Sequence, residues 1–193
     1  SEHKQFSKMG KVPILLVDNT PIPDSTSILE ALEKFSSKTL IPVDKRVRAS
    51  AWLWEDYADN VLGYYVFAAR WFDDRNWGAM SEEQFKTLPR LLRNWLPDRI
   101  RKGALKSMAS MEFIRKGQNG CWDTFQRDID NLEQRAPESG FWTSPSISVA
   151  DIALFGMLHC LRSELSAWQM QEINARPQLK SWLDRVDQLT VGG

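Results

Sequence analysis

Two short segments near the start of the chain could bind a small anion through their main chain. Val12-Pro13 opens the apolar run Ile14–Val17, and Asp24-Ser25 precedes a run with helical spacing. A chain that enters a strand through a proline and soon begins a helix leaves backbone hydrogen-bonding groups exposed at two neighbouring points. The start of a helix also favours a carboxylate. The spacing favours a site for a small peptide-like anion, although a plain strand end and helix cap would use the same residues.

The secondary-structure elements predicted around these residues are short and include both strands and a helix. The continuous apolar run at 14–17 predicts a strand buried on both faces. Prolines at positions 21 and 23 confine the next extended piece to a sheet edge or a strand end. Apolar residues then recur at helical spacing after Asp24 or Ser25 as the N-cap. We predict a helix over residues 25–35 and a linker over 36–43.

From residue 44 onward the hydrophobic pattern is helical. We predict helices over residues 44–72, 81–95 with an interruption near Pro89, 99–116, 122–135, 148–162 and 178–189. Ser148 and Asp151 have the spacing of a capping box. The helix that follows is apolar almost all round, so we expect it to be central, with His159 a hydrogen-bonded core histidine and Cys160 a small buried hydrophobe.

Composition argues against several classes of partner. Lys plus Arg and Asp plus Glu number 25 each, so we expect neither nucleic acid nor a membrane as partner. A cluster of basic residues is interpreted as a solvated helix face; it comprises Arg99, Arg101, Lys102 and Lys106. No apolar run is long enough to cross a bilayer. The two cysteines are far apart and give no disulfide framework, which favours a cytoplasmic location. The two histidines are also far apart and give no metal-binding motif.

Three separated motifs resemble the glutathione S-transferase superfamily. They are the segment 10–33, the Ser-x-Ala-Asp-Ile sequence that begins at Ser148, and the segment Arg176-Pro177-x-Leu179-x-x-Trp182-x-x-Arg185. The resemblance implies a mostly α fold. A partial thioredoxin-like α/β domain over residues 1–38 would precede an all-helical C-terminal-type bundle over residues 44–190.

The resemblance also implies a site for glutathione as co-substrate, with no metal. In the family the Val-Pro bond is cis and the valine backbone pairs with the cysteinyl part of glutathione, which implies this role for Val12 and Pro13. The family's Asp-Ser pair holds the γ-glutamyl group, which corresponds to Asp24 and Ser25. Lys11 matches a position that contacts the peptide in some classes.

A second subsite for an apolar electrophile follows from the same resemblance. In the family it is lined by the first helix of the helical domain, where Trp54, Tyr57 and Val61 have the i, i+3, i+7 spacing of one helix face. Their aromatic character would favour a flat apolar electrophile. The alternative is that these three side chains belong to the ordinary interhelical core.

The chain departs from the family pattern at its N-terminal end. The first strand, the first helix and most or all of the second strand have no counterpart, and the Tyr, Ser or Cys that activates the thiol belongs to that part. Ser1, Ser7 and Tyr57 all lie outside the family's thiol-activating motif. We therefore assign the thiol-activating role to no residue. The remaining two strands would form a marginal sheet with an exposed edge. We expect either a fragment or processed form, or a second chain that completes the sheet.

The leading expectation is a glutathione S-transferase-like homodimer that transfers the glutathione thiol to a small apolar electrophile. The alternative is a non-catalytic binding or assembly module of the same fold, similar to the metaxins and the gamma subunit of translation elongation factor. An unrelated helical protein with a fortuitous N-terminal hairpin is a third possibility. Binding of glutathione separates the first two.

Overall fold

The computed structural model describes residues 12–36 and 39–191. Two strands come first, β1 (Ile14–Val17) and β2 (Thr20–Pro23), and every later element is a helix. The helices are α1 (Ser25–Leu32), α2 (Lys45–Tyr57), α3 (Gly63–Phe67), α4 (Asp74–Phe85), α5 (Arg90–Arg93), α6 (Leu96–Ser107), α7 (Glu112–Arg115), α8 (Gly117–Arg135), α9 (Val149–Leu161), α10 (Ala167–Asn174) and α11 (Pro177–Val191). The predicted fold class is confirmed, while the exact domain boundaries stay a prediction.

The two strands form an antiparallel hairpin. Its turn residues Asp18 and Asn19 have φ values of 48° and 63°, the left-handed conformation that Asp and Asn tolerate in a tight hairpin turn. The prediction of a strand buried on both faces is wrong, since Leu16 is 51% exposed and the other β1 residues are only half-buried. In the described residues β1 pairs with β2 alone, so nothing covers its second edge.

The long helix predicted over residues 44–72 is present, but its hydrogen bonding changes along its length. Asp44 caps its start by accepting from the N–H groups of Arg46 and Val47, each at 2.9 Å. The α-helical parts α2 and α3 alternate with two π-helical segments, Ala58–Leu62 and Ala68–Phe72. Single π turns of this kind are frequent at functional sites. The hydrophobic pattern does not distinguish them from α-helix.

Several helices differ in their boundaries from the sequence prediction. The helix predicted to begin at 81 begins at Asp74, because Asp73 leaves the helical conformation and its side chain caps the next helix. The helix predicted over 99–116 is divided into α6 and α7, and Pro97 lies in the first turn of α6, where its missing N–H costs little. Helix α10 was not predicted.

Helix α9 is central, as expected, but not on every side. Val149, Leu154, Leu158 and Leu161 are fully buried, and α9 packs against α2 and α11. His159 and Cys160 are exposed, so the predictions of a core histidine and a buried cysteine are wrong. The aromatic ring of His159 stacks on Phe155 with 5.1 Å between centroids. The remaining side of α9 is left to solvent because no described helix covers it.

The linker between α1 and the helical bundle is hydrogen-bonded to both of them. The Glu33 carboxylate accepts from the N–H groups of Leu40 at 2.5 Å and Ile41 at 3.3 Å. The Leu40 carbonyl accepts from the N–H of Val149 at 3.0 Å. Leu40 and Ile41 also pack on a buried cluster that includes Ala51 and Val149. The end of α1 is therefore held against the helical bundle.

Candidate functional site

The hairpin register brings the two segments singled out in the sequence to one place. Ile14 pairs with Pro23, so Pro13 and Asp24 follow at the same end of the hairpin. The Val12–Pro13 peptide bond is cis, as the resemblance implies. The Val12 side chain is 68% exposed. Lys11, the fifth residue predicted for this site, lies outside the described residues.

The first turn of α1 leaves two backbone donors available. The Asp24 carboxylate accepts from the N–H of Ser27 at 3.3 Å, and the Asp24 carbonyl accepts from the N–H of Ile28 at 3.0 Å. The N–H groups of Ser25 and Thr26 have no acceptor among the residues that the structure describes. Asp24 has φ 81° and ψ 131°, a strained conformation that typically costs about 1–3 kcal/mol. The arrangement can bind a carboxylate at the helix start.

A buried acid that the sequence analysis did not predict lies against this turn. Glu55 of α2 is 5% exposed and accepts a 2.6 Å hydrogen bond from the Thr26 hydroxyl. Burial raises the pKa of Glu55 and the bond from Thr26 opposes this, while the carboxylates of Asp59, Asp56 and Asp24 raise it further. A sequence signal existed: position 55 continues the helical spacing of Ala51, Ala58 and Leu62, which are all fully buried.

Replacing Glu55 with Gln should change how stability depends on pH. A raised pKa means that the folded state binds the proton more tightly, so the wild type loses stability as pH rises from the unfolded value of about 4.5 through the raised folded value. Gln keeps the acceptor for Thr26 and cannot ionise. The free energy of unfolding of the variant, relative to wild type, should therefore increase with pH, as measured by urea denaturation between pH 4.5 and 8.

Glu82→Gln is the matched control, because Glu82 is an exposed acid on α4. The difference between this control and the wild type should stay flat across the same pH series. A flat difference for Glu55→Gln as well would contradict the argument.

Trp54 and Tyr57 border one cavity between α2 and α8, with a volume of about 480 Å³. Val61 borders a neighbouring cavity of about 410 Å³, together with Tyr64 and Tyr65. Asp128 lines both. The structure therefore brings Trp54 and Tyr57 together at one cavity and places Val61 at the neighbouring one. The predicted electrophile subsite is divided between these two cavities.

The polar groups of these cavities include neutral phenols beside a carboxylate. The Tyr65 hydroxyl donates to Asp128 at 2.7 Å. Burial, with the charge of Asp128, raises the pKa of Tyr57, and the same causes raise that of Tyr65. Both phenols therefore stay protonated at neutral pH. Tyr65 and Asp128 were not predicted, since they lie 63 residues apart in the sequence.

Trp54 also belongs to the core, as the alternative interpretation held. Its ring lies edge-on to Trp142 with 5.2 Å between centroids, and Trp142 lies 4.8 Å from Trp182 in the same way. Only part of Trp54 faces the cavity. Such edge-to-face pairs are worth about 0.5–1.5 kcal/mol beyond area burial, so Trp54 joins the cavity wall to the packed interior.

The described residues contain no group of three or more His, Cys, Asp or Glu placed to hold a metal ion. Cys121 lies in α8 and is buried, and burial raises the pKa of its thiol to about 12. A thiol with that pKa is not a nucleophile at neutral pH. None of the described helices is long and apolar enough to span a bilayer.

Comparison with known proteins matches the helical part of the chain to a family. Residues 98–185 match the family model described as glutathione S-transferase, C-terminal domain. The chain is 25% identical to the protein LigF of Sphingobium sp. (strain NBRC 103272 / SYK-6), over 94% of this chain and 77% of LigF.

Solved structures share the fold over nearly the whole chain. The crystal structure of β-etherase LigF has a TM-score of 0.65 at 21% identity, covering 95% of this chain and 76% of LigF. A glutathione S-transferase from Methylobacillus flagellatus KT, solved with glutathione bound, has a TM-score of 0.53 at 20% identity, covering 94% of this chain and 73% of that one. Residues 98–185 therefore resemble the glutathione S-transferase C-terminal domain, and the chain as a whole has the fold of these solved glutathione S-transferase and LigF structures.

Proposed function

We propose that this protein binds reduced glutathione and transfers its thiol to an apolar electrophile. The observation that carries the proposal is the free pair of N–H groups on Ser25 and Thr26, located at the same end of the hairpin as Val12. Backbone donors at a helix start suit the γ-glutamyl carboxylate. A solved relative of the same fold contains bound glutathione, which supports the choice of ligand.

Each part of the site has a distinct role in this proposal. The Val12 backbone pairs with the cysteinyl part of the peptide, and Ser25 with its neighbour Thr26 holds the γ-glutamyl carboxylate. The Asp24 carboxylate accepts from the γ-glutamyl ammonium, and Glu55 holds Thr26 in place by their 2.6 Å hydrogen bond. Hydrogen bonds to charged groups are worth about 1.5–3 kcal/mol each, so a few of them suffice for useful affinity.

The electrophile would occupy the two cavities beside α2, where the Trp54 and Tyr57 side chains give a flat apolar wall. A free thiol has a pKa of about 8.5, so transfer at neutral pH also needs a donor that stabilises the thiolate. None of the described residues is given that role. The proposal includes a homodimer in the cytoplasm.

Replacing Asp24 with Ala should weaken glutathione binding by about 10- to 100-fold, since one hydrogen bond between charged groups, worth about 1.5–3 kcal/mol, is lost. Isothermal titration with reduced glutathione measures this directly. Ligand-dependent thermal stabilisation gives a second readout, because a ligand that binds only the folded state raises the melting temperature by mass action.

Glu30→Ala is the matched control, since Glu30 is an exposed acid on the same helix. It should bind glutathione like wild type. If Asp24→Ala binds equally well, Asp24 has no part in the site. If the folded wild type shows neither binding heat nor thermal stabilisation at millimolar glutathione, the non-catalytic binding module is the better function.

A further inference from the structure

Charge is distributed unevenly along this neutral chain. Residues 86–116 contain nine Lys and Arg against two Asp and Glu, a net charge of +7, so the remainder carries −7. The expectation that no membrane is a partner rests on the total charge, which hides this segment. Electrostatic attraction acts over roughly a Debye length of 8–10 Å at physiological salt, so the local charge decides what this surface attracts.

Three cations of the segment form a row on α6, here called the basic row: Arg99, Lys102 and Lys106. Their spacing of three and four residues places them within an arc of about 60° around the helix. All three are exposed, and none has an ion pair or side-chain hydrogen bond within the part of the chain that the structure describes. Their positive charge is therefore not neutralised by the described residues.

Arg101 has a different role from its neighbours, so the interpretation of the whole group as a solvated face needs correction. Its guanidinium donates to the carbonyls of Trp71 at 2.8 Å and Phe72 at 3.2 Å, and to Asp74 at 2.6 Å. Arg101 thereby attaches α6 to the end of the long helix. This attachment turns the basic row, on the other side of α6, outward.

Exposed apolar side chains lie directly before the basic row. Leu91 in α5 is 84% exposed and Trp95, at the start of α6, is 50% exposed. Arg90 beside Leu91 is also exposed. The nearest acid in the sequence, Asp98, accepts from the indole N–H of Trp77 at 2.9 Å. Helix α5 contacts α6, and the exposed residues of this pair of helices include the basic row, Arg90, a leucine and a tryptophan.

We infer that this surface docks on an anionic phospholipid membrane, with Leu91 and Trp95 entering the interface and the basic row contacting lipid phosphates. Each Lys or Arg near such a surface contributes about 1 kcal/mol, which is about fivefold in affinity. Tryptophan favours the headgroup region, and a leucine gains from reaching the acyl chains. Nucleic acid would use the cations equally but would gain nothing from Leu91. The inference is independent of glutathione binding.

Co-sedimentation of the full chain with vesicles tests this inference. Wild type should bind vesicles of 70% phosphatidylcholine and 30% phosphatidylserine, and the bound fraction should fall as salt is raised. It should not bind pure phosphatidylcholine. The combined variant Arg99→Glu, Lys102→Glu, Lys106→Glu should lose at least about 100-fold in partition coefficient, from three contributions of about fivefold.

The matched control reverses three exposed cations elsewhere, Lys45→Glu, Arg46→Glu and Arg70→Glu, and so applies the same change in net charge. It should retain most of the binding. Leu91→Ser should lose about tenfold or more on anionic vesicles, because an inserted leucine is removed. The melting temperature of every variant shows whether it is folded.

Three outcomes would overturn the inference. One is failure of the folded wild type to bind the anionic vesicles. Another is equal loss of binding in both charge-reversal variants, which would indicate a dependence on net charge alone. The third is tighter binding to a 20-base-pair DNA duplex than to vesicles at the same salt with no effect of Leu91→Ser, which would assign the surface to nucleic acid.

Discussion

Replacing Asp151 with Ala should lower the free energy of unfolding by about 3–5 kcal/mol, because several buried donors lose their acceptor. Asp151 is fully buried and its carboxylate accepts four hydrogen bonds. One oxygen accepts from the Ser148 N–H at 3.0 Å and the Ser148 hydroxyl at 2.9 Å. The other accepts from the Trp142 N–H at 2.7 Å and the Trp182 indole at 3.1 Å.

Alanine leaves all four donors without this acceptor in the interior, and each unsatisfied buried donor costs about 1–3 kcal/mol before the structure relaxes. Asp151→Asn keeps one acceptor oxygen and nearly the same shape, so it should lose less than Asp151→Ala. Asp123→Ala, at an exposed position of α8, should change stability by less than about 0.5 kcal/mol. Urea denaturation of the three variants gives the ranking, and a loss below 1 kcal/mol for Asp151→Ala would refute the role assigned to it.

The consequences of this change should extend to the electrophile cavity. Trp142 is held by Asp151 through its N–H and lies edge-on to both Trp54 and Trp182. Trp54 in turn borders the larger cavity. Loss of Asp151 therefore loosens a wall of the cavity from a position outside it, and a variant that still folds should bind apolar ligands less tightly.

The sequence predicts the contact between Ser148 and Asp151. It does not predict the hydrogen bonds that Asp151 accepts from Trp142 and Trp182. Ser148 and Asp151 are three residues apart, so a capping box follows from spacing alone, and the structure confirms it. The bonds from Trp142 and Trp182 join residues 9 and 31 positions away, and no periodicity reports contacts of that kind. Asp151 is predictable as a cap but not as the centre of a buried network.

The same difference between local and distant contacts explains which site residues could be predicted from the sequence. Asp24 and Ser25 are visible because a helix start has a local pattern, and the N-cap at Asp24 is confirmed. Glu55 meets Thr26 across 29 residues and was missed. The exposure of His159 and Cys160 was also missed, since an apolar pattern shows which side chains could be buried, whereas the neighbouring helices decide which are. The π-helical segments have no pattern that separates them from α-helix.

Replacing Asp73 with Ala should lower the free energy of unfolding by about 3 kcal/mol, through two separate losses. Asp73 is fully buried and caps α4 by accepting from the N–H of Arg75 at 2.9 Å. Loss of an N-cap costs about 1 kcal/mol. The carboxylate also accepts from the amide of the fully buried Gln169 at 2.8 Å, and an unsatisfied buried amide costs a further 1–3 kcal/mol.

The Arg75 guanidinium also binds Asp73, with contacts of 2.7–3.1 Å, but its side chain is 45% exposed and lies over Trp168. Water can therefore replace the lost carboxylate around it, and this contact should add little to the cost. Asp73→Asn keeps an acceptor oxygen for the cap or for Gln169, so its loss should be about half as large.

Asp74→Ala provides the comparison within the same helix turn. Asp74 is 70% exposed although it pairs with Arg101 at 2.6 Å, and exposed pairs contribute about 0–1 kcal/mol. Thermal and urea unfolding should therefore separate two adjacent aspartates by about 2 kcal/mol. Equal losses at positions 73 and 74 would contradict the cost assigned to the N-cap and to the buried bond from Gln169, which only Asp73 makes.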